Sequence, residues 1–379
     1  MAIDNKDKKV LNVPHLRFPE FSGEWENTEL QYIAPNICSG KDKPTSNGTV
    51  ALYGSTGIIG MTRLASYNEE IVLVARVGAN AGQLQITTIP CGVTDNTLII
   101  NAKEWNRYIY YYLQHYNLNR LVFGSGQPLI TGSMLKKLKI IYGEESERNK
   151  IVNLLCLLDE RIATQNKIIY KLKSLIRGIM VELQKRGLSN GTWKKVLLSN
   201  VLTERNELNK SLYPVYSVSV IQGIVNQMEY LGRSFAASDT SKYHVVHYGD
   251  LVYTKSPTGS FPYGIIKQSY NQNEVAVSPL YGVYEPKTFS TGVFLHEYFK
   301  SELNTLNYLH PLVQKGAKNT INIANQRFLE SYVAIPSNAN ELLAISKLLC
   351  SLNTKLEFLQ NILKQSQGQK QYLLRQMFI

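Results

Sequence analysis

The chain has 379 residues, of which 44% are hydrophobic and 18% charged, a composition that supports globular cores and excludes a disordered chain. At roughly 150 residues per domain, this length predicts two or three domains. The sequence has no apolar run of about 20 residues that could span a membrane, no secretory signal at its start, and four widely spaced cysteines without a CxxC pair. We therefore expect a cytoplasmic protein without disulfides or a structural zinc ion.

The formal net charge is +12, and the excess of Lys and Arg is spread along the whole chain rather than gathered in a basic tail. A distributed positive field suits a protein that lies along a polyanion such as duplex DNA. Charge alone equally allows a basic enzyme without a nucleic-acid role.

After a short N-terminal arm, the chain contains two globular segments with a similar order of sequence features. Each begins at a tryptophan with an amphipathic stretch, continues through a tyrosine-and-turn stretch and a strand that ends in a cation, and closes on an apolar run. In the first segment these features are Trp25–Ile33, Tyr53–Gly60, Ile71–Arg76 followed by the loop Gly78–Gly82, and Leu138–Tyr142. In the second they are Trp193–Val201, Tyr213–Gly223, Asp250–Lys255 followed by the loop Ser256–Ser260, and Tyr332–Pro336.

A long heptad pattern follows each globular segment. Leu154–Ile162 recurs as Leu348–Leu356, and apolar residues step by four and three along both copies without an intervening proline. A period of about 3.5 residues keeps one stripe facing a partner helix, so the pattern predicts two long helices packed as a coiled coil. We expect the polar Gln165 to fix its register. The predicted seam comprises Ile151, Leu155, Leu158, Ile162, Gln165 and Ile169 on the first helix, and Ile345, Leu349, Leu352, Leu356, Leu359 and Leu363 on the second.

The predicted fold class is thus α+β, with two globular segments separated by two long helices and an internal repeat. The predicted parts are an arm at 1–19, a first globular domain at 20–142, a helix at 143–187, a second globular domain at 188–336 and a helix at 337–379.

The sequence carries little catalytic chemistry. It has no GxxxxGK[ST] loop, no GxGxxG that opens a helix, and no Pro-Pro-aromatic tetrad of the kind shared by amino-methyltransferases. Asp250 with Glu285-Pro286-Lys287 superficially matches the set that holds magnesium in many nucleases, but Pro286 would break the inner strand which that site needs.

The positive features are those of a DNA-binding protein. Arg and Lys suit guanine edges, Asn and Gln suit adenine, Ser and Thr suit several edges, and lysines suit phosphate. The candidate contacts in the first segment are Lys41, Lys43, Thr45, Ser55, Thr56, Arg76, Asn80, Ser125 and Gln127. Those in the second are Lys210, Ser217, Ser219, Lys255, Thr258, Ser260, Lys315, Lys318 and Asn319.

Several stretches together resemble the specificity subunits of type I restriction–modification systems. They are Val13–Phe21 followed by Trp25, Gly78–Gly82, Gln127–Ile130 before Leu135, and Lys150–Asp159 continuing through Ile162–Gln165 and Ile168–Lys173. The resemblance extends over essentially the whole chain. It is weakest in the second half, whose recognition loops differ from those of the first and whose last helix has Ser366 and Lys370 at seam positions.

This resemblance implies a non-catalytic subunit with two target-recognition domains on two antiparallel helices. Each domain would read one half of a bipartite, asymmetric DNA site, while the helices set the spacer and bind two methyltransferase subunits, which a translocating restriction subunit then joins. S-adenosylmethionine, ATP and magnesium would belong to those partners, in a bacterial or archaeal cytoplasm. The alternatives are a coiled-coil adaptor that does not bind DNA and a magnesium-dependent nuclease.

Overall fold

The computed structural model describes residues 12–122, 128–233, 236–315 and 321–379, apart from the side chains of 315, 321 and 322. The chain divides into two compact units, Met1–Asn166 with Asn361–Ile379 (unit 1) and Lys167–Gln360 (unit 2). Each unit thus contains one globular segment and a part of both long helices. No helix among the described residues has an apolar stretch long enough to cross a membrane.

Unit 1 is built on an antiparallel four-stranded sheet of order β2-β8-β5-β6, with a three-stranded sheet β4-β3-β7 beside it. Its elements are β1 (Glu26–Glu29), α1 (Leu30–Ile33), β2 (Cys38–Ser39), β3 (Val50–Gly54), β4 (Gly57–Thr62), β5 (Val72–Ala75), β6 (Leu84–Ile86), β7 (Cys91–Val93), β8 (Thr97–Ile100), α2 (Asn106–Tyr116), α3 (Gly132–Lys136), β9 (Lys139–Tyr142) and the start of α4 (Glu145–Ser189).

Unit 2 repeats this plan with the four-stranded sheet β11-β18-β15-β16. After α4 come β10 (Trp193–Leu197), β11 (Leu202–Glu204), β12 (Tyr216–Ser219), β13 (Gly223–Asn226), α5 (Gln227–Leu231), β14 (His244–Val246), β15 (Leu251–Tyr253), β16 (Ile266–Gln268), β17 (Val275–Val277), β18 (Gly282–Pro286), α6 (Phe289–Tyr298), α7 (Glu302–Leu309), β19 (Gln314–Lys315), β20 (Ile321–Asn322), α8 (Asn325–Phe328), β21 (Tyr332–Pro336) and α9 (Ala339–Gln376).

The two ends of each globular segment pair with one another. In unit 1, β1 pairs antiparallel with β9, and in unit 2, β10 pairs antiparallel with β21. The strand that closes each pair leads directly into a long helix. The tryptophan stretch and the apolar run therefore belong together in both halves, which confirms the internal repeat.

A tryptophan–glutamate hydrogen bond fixes the start of each long helix to its globular segment. Trp25 Nε1 donates to Glu147 Oε2 over 3.0 Å, and Trp193 Nε1 donates to Glu341 Oε1 over 2.8 Å. Both glutamates lie in the first turn of their helix, where a carboxylate is favoured by the helix dipole. The Glu147 carboxylate is fully buried and also accepts two hydrogen bonds from Arg17, at 2.7 and 2.8 Å.

Every predicted seam position is buried or half-buried. In unit 1, Leu155 at the start of α4 shares a core with Leu373 and Met377 at the end of α9. In unit 2, Ile176 near the end of α4 shares a core with Ile345 and Leu349 at the start of α9. This order of contacts is that of antiparallel helices.

The three polar residues at seam positions, Lys370, Ser366 and Gln165, differ in their hydrogen bonding. Lys370 donates to Asp159 Oδ1 over 2.6 Å, while Tyr111 of α2 donates to Asp159 Oδ2 over 2.8 Å. Ser366 is buried. Gln165 has a buried Oε1 without a hydrogen-bond partner among the described residues, and its role in setting the register stays a prediction.

Leu155→Ala should destabilise the protein by about 3 kcal/mol, because it opens a cavity at a fully buried seam position. The matched control is Leu157→Ala on the same helix, where the side chain is 65% exposed and the expected cost is under about 0.5 kcal/mol. Urea unfolding followed by circular dichroism measures both. Equal costs for the two variants would contradict the assignment of the seam.

Candidate nucleic-acid interface

In both units a cation lies within two residues of the end of the third strand of the four-stranded sheet. Arg76 follows β5 in unit 1, and in unit 2 Lys255 comes two residues after β15, with the buried Thr254 between them. Both side chains are half-buried. The structure thus brings the two predicted base-contacting cations to matching places in the two sheets.

Arg76 is held rigidly but leaves a hydrogen-bond donor free. Its backbone N–H donates to the Asn96 carbonyl over 3.0 Å, and its carbonyl accepts from the Ile130 N–H over 2.9 Å. Among the described residues, the side chain makes one long hydrogen bond, 3.5 Å from Nη1 to Ser39 Oγ. Its Nε is buried and has no partner among the described residues. A buried donor without a partner costs free energy, which a ligand acceptor can recover.

The loop after Arg76 needs glycine at two positions. Gly78 and Gly82 adopt positive φ angles of 77° and 89°. A Cβ on Gly82 would lie 3.1 Å from Asn119 Oδ1, so the loop packs closely against the globular segment. This leaves Asn80, between the two glycines, exposed to solvent.

Lys255 has a strained backbone and a partly desolvated amine. Its φ of 61° lies in the left-handed region, which is uncommon for a residue with a side chain. The backbone of Lys255 approaches so closely that a Cβ on Gly264 would lie 2.8 Å from the Lys255 nitrogen. Burial lowers the pKa of Lys255 below its usual value, and the nearby Glu204 opposes that shift. Phosphate or guanine acceptors would favour the charged amine in the same way.

The other candidate residues vary in accessibility. Those whose side chains are exposed are Lys41, Lys43, Thr45, Thr56, Asn80, Lys210 and Ser260. Three half-buried hydroxyl groups have local partners: Ser55 donates to the Asn96 carbonyl, Thr258 donates to the Ser256 carbonyl, and Ser217 accepts from Gln227. Ser125, Gln127, Lys318, Asn319 and the side chain of Lys315 lie outside the described residues.

Ser219 is placed differently from the prediction. It is buried, its hydroxyl donates to the Tyr230 hydroxyl over 3.1 Å, and it accepts from the N–H groups of Ile221 and Gln222. The hydroxyl group therefore holds the turn after β12 together, and this argues against a base contact by Ser219.

Asp250 forms a structural ion pair rather than a metal site. It is 2% exposed, and its two carboxylate oxygens accept from Arg205 Nε and Nη2 at 2.8 and 3.2 Å. Arg205 also lies 3.2 Å from Glu285. Burial raises the pKa of Asp250, and the hydrogen bond from Arg205 opposes that rise. Among the described residues no cluster of metal-ligating side chains occurs, so the geometry gives the nuclease alternative no support.

Sequence reasoning missed an exposed apolar row on β4. Ile58, Ile59 and Met61 are exposed there, and Arg63 follows at the end of the strand. The available signal was the run of isoleucines after the Ser55-Thr56 turn, which reads equally well as a buried strand.

Comparison with known proteins shows that part of this chain is similar to a known family. Residues 10–174 match the family model of the type I restriction modification DNA specificity domain. This stretch, which is less than half of the chain, is therefore similar to that specificity domain. The matched stretch includes the first globular segment and ends within α4. No curated protein is significantly similar in sequence.

The fold extends the likeness to the second half. The S subunit of the type I restriction–modification system of M. genitalium superimposes with a TM-score of 0.67 at 15% identity, covering 97% of this chain and 99% of that one. The HsdS subunit of Thermoanaerobacter tengcongensis matches with a TM-score of 0.34 at 13% identity, over 93% of this chain and 94% of that one. A structure on complex assembly and conformational transition of the type I R-M system matches at 0.44 and 12% identity, over 95% of this chain and 98% of that one.

Asp250→Ala should destabilise the protein by about 3 kcal/mol, because it leaves the half-buried Arg205 without its main partner. Glu285→Gln is the control, since Glu285 is exposed and should contribute under about 1 kcal/mol. Urea unfolding measures both. A stable Asp250→Ala protein that lost a magnesium-dependent DNA cleavage would instead support the nuclease.

Proposed function

We propose that this chain is the non-catalytic DNA-recognition subunit of a type I restriction–modification complex and that each unit reads one half of a bipartite DNA site. One observation carries the proposal: the same four-stranded sheet presents Arg76 in unit 1 and Lys255 in unit 2. Two cations at matching places in two similar sheets can contact base edges in two separate stretches of one DNA duplex.

The two half-sites should differ in sequence. Arg76 is followed by a glycine loop with an exposed Asn80, whereas Lys255 is followed by a loop that contains Pro257 and Thr258. Arginine and lysine favour guanine, while asparagine favours adenine. Different side chains at matching places in the two sheets therefore support an asymmetric site.

The long helices are proposed to set the unread spacer and to bind two methyltransferase subunits, through which a restriction subunit associates. Each helix carries apolar side chains outside the seam that are exposed, including Tyr170 and Val181 on α4 and Phe358 on α9. These exposed apolar side chains are available for contact with a protein partner. S-adenosylmethionine, ATP and magnesium are assigned to the partner subunits, and the site of action to the cytoplasm, where the four free cysteines would stay reduced.

Arg76→Ala should reduce the binding free-energy difference between correct and substituted base pairs in one half-site by about 1–3 kcal/mol. Discrimination in the other half-site should stay unchanged. Lys255→Ala should do the same for the opposite half. The site is first mapped as methylated adenines in cells that express the complex, and binding to substituted duplexes is then measured. The control Lys195→Ala removes an equal charge from the exposed face of β10.

An equal loss of affinity on every DNA sequence would reassign Arg76 or Lys255 to phosphate contacts. A coiled-coil adaptor that does not bind DNA would show no affinity for any duplex. It would therefore give no dependence of DNA affinity on salt concentration. A DNA reader should show a steep negative slope of log affinity against log salt concentration.

Deleting one heptad from both α4 and α9 should change the length of the spacer in the recognised site. A paired deletion keeps the seam in register because the period repeats every seven residues. Methylome mapping gives the spacer directly, and a deletion of one heptad from a single helix, which makes the two helices unequal in length, is the control for folding. An unchanged spacer in the paired deletion would show that the helices do not set it.

A further inference from the structure

The β3–β4 hairpin of unit 1, residues 50–62, presents exposed apolar side chains at the edge of its sheet. The sheet order β4-β3-β7 makes β4 the edge strand, and the segment that contains Thr45 covers part of its outer side. Ile58 and Ile59 are each 55% exposed, and Leu64 beyond the strand is 77% exposed. An exposed apolar edge strand invites aggregation unless a partner covers it.

A β-bulge aims the two isoleucines outward. Tyr53 pairs with Ile58 and Leu52 pairs with Gly60, so Ile59 is the extra residue. Ile59 lies over Gly54, because a Cβ at Gly54 would come within 2.9 Å of the Ile59 Cδ1. Bulges at sheet edges commonly redirect side chains for a function.

Positive charge frames this apolar row. Lys41, Lys43 and Arg63 are exposed, and none of them forms an ion pair with a described residue. The segment 41–45 runs beside β4, since the Thr45 N–H donates to the Met61 carbonyl over 3.0 Å. Asp42 is the one acidic residue in 40–68, and its carboxylate accepts hydrogen bonds from the Val93 N–H at 2.8 Å and the Ser66 hydroxyl at 2.6 Å.

These observations select the partner. Three cations without an ion pair among the described residues favour a polyanion over an apolar protein surface, and the isoleucines need an apolar group on that polyanion. In the major groove of DNA that group is the thymine methyl. The groove is about 12 Å wide and admits a two-stranded ribbon, whose strands lie about 4.8 Å apart.

We propose that the β3–β4 hairpin enters the major groove and that Ile58 and Ile59 recognise thymine through its 5-methyl group. This specificity contact rests on the proposed function and adds to it an apolar readout beside Arg76. Lys41, Lys43 and Arg63 then contact the phosphates on either side of the groove.

Uracil in place of thymine tests the proposal, because it removes only the methyl group and keeps the base pair. The first half-site is the one whose discrimination Arg76→Ala abolishes. Each thymine in that half is replaced by uracil in turn, and affinity is measured with the assembled methyltransferase complex. At one of these positions, uracil should lower the affinity of the wild-type complex about fourfold. Ile58→Ala or Ile59→Ala should bind the thymine and uracil duplexes equally.

Ile221→Ala is the matched control, since Ile221 is an exposed isoleucine at the turn between β12 and β13 of unit 2. It should leave the uracil penalty in the first half-site unchanged. A first half-site without thymine, or a uracil penalty equal in wild type and both isoleucine variants, would overturn the proposal. Loss of complex assembly in these variants with an unchanged uracil penalty would assign the hairpin to a protein contact and overturn it too. A wild-type complex that binds no specific sequence would instead overturn the proposed function itself.

Discussion

The long helices α4 and α9 each carry a narrow apolar stripe that must be buried away from water. This requirement determines how each unit forms its core. One face in every heptad of α4 and α9 is apolar, and neither helix can bury that face alone. In unit 1 the start of α4 packs with the end of α9, and in unit 2 the end of α4 packs with the start of α9. Because each unit needs both helices for its core, neither globular segment is complete without the distant part of the chain.

Polar contacts then fix each globular segment on its helices. The hydrogen bond from Trp25 to Glu147 has its counterpart in the one from Trp193 to Glu341. Further along, Asp159 accepts from Lys370 and Tyr111 in unit 1, while Asn353 and Lys300 both donate to Glu297 in unit 2. Buried polar groups of this kind are costly unless all are satisfied, so they favour one arrangement over its neighbours. The proposed DNA-reading surface needs such rigidity, because sequence specificity depends on the positions of a few side chains.

The two units use one backbone plan with different side chains at the proposed reading positions. Arg76 has a buried donor without a partner among the described residues, whereas Lys255 has a partly desolvated amine on a strained backbone. A ligand acceptor would stabilise both groups. This chemistry is consistent with the specificity-domain model that residues 10–174 match.

The sequence alone predicted the seam, the internal repeat and the strands that precede Arg76 and Lys255, because each is a periodic or local pattern that does not depend on distant neighbours. Only the tertiary structure decided which polar groups find partners. Glu147 meets Trp25 and Arg17 across more than a hundred residues, Arg205 occupies Asp250, and Ser219 turns inward to hold a loop. It also decided that Ile58 and Ile59 face solvent, since a bulge in pairing with β3 sets their direction. Burial and hydrogen bonding depend on neighbours that are remote in sequence, and a one-dimensional pattern does not contain them.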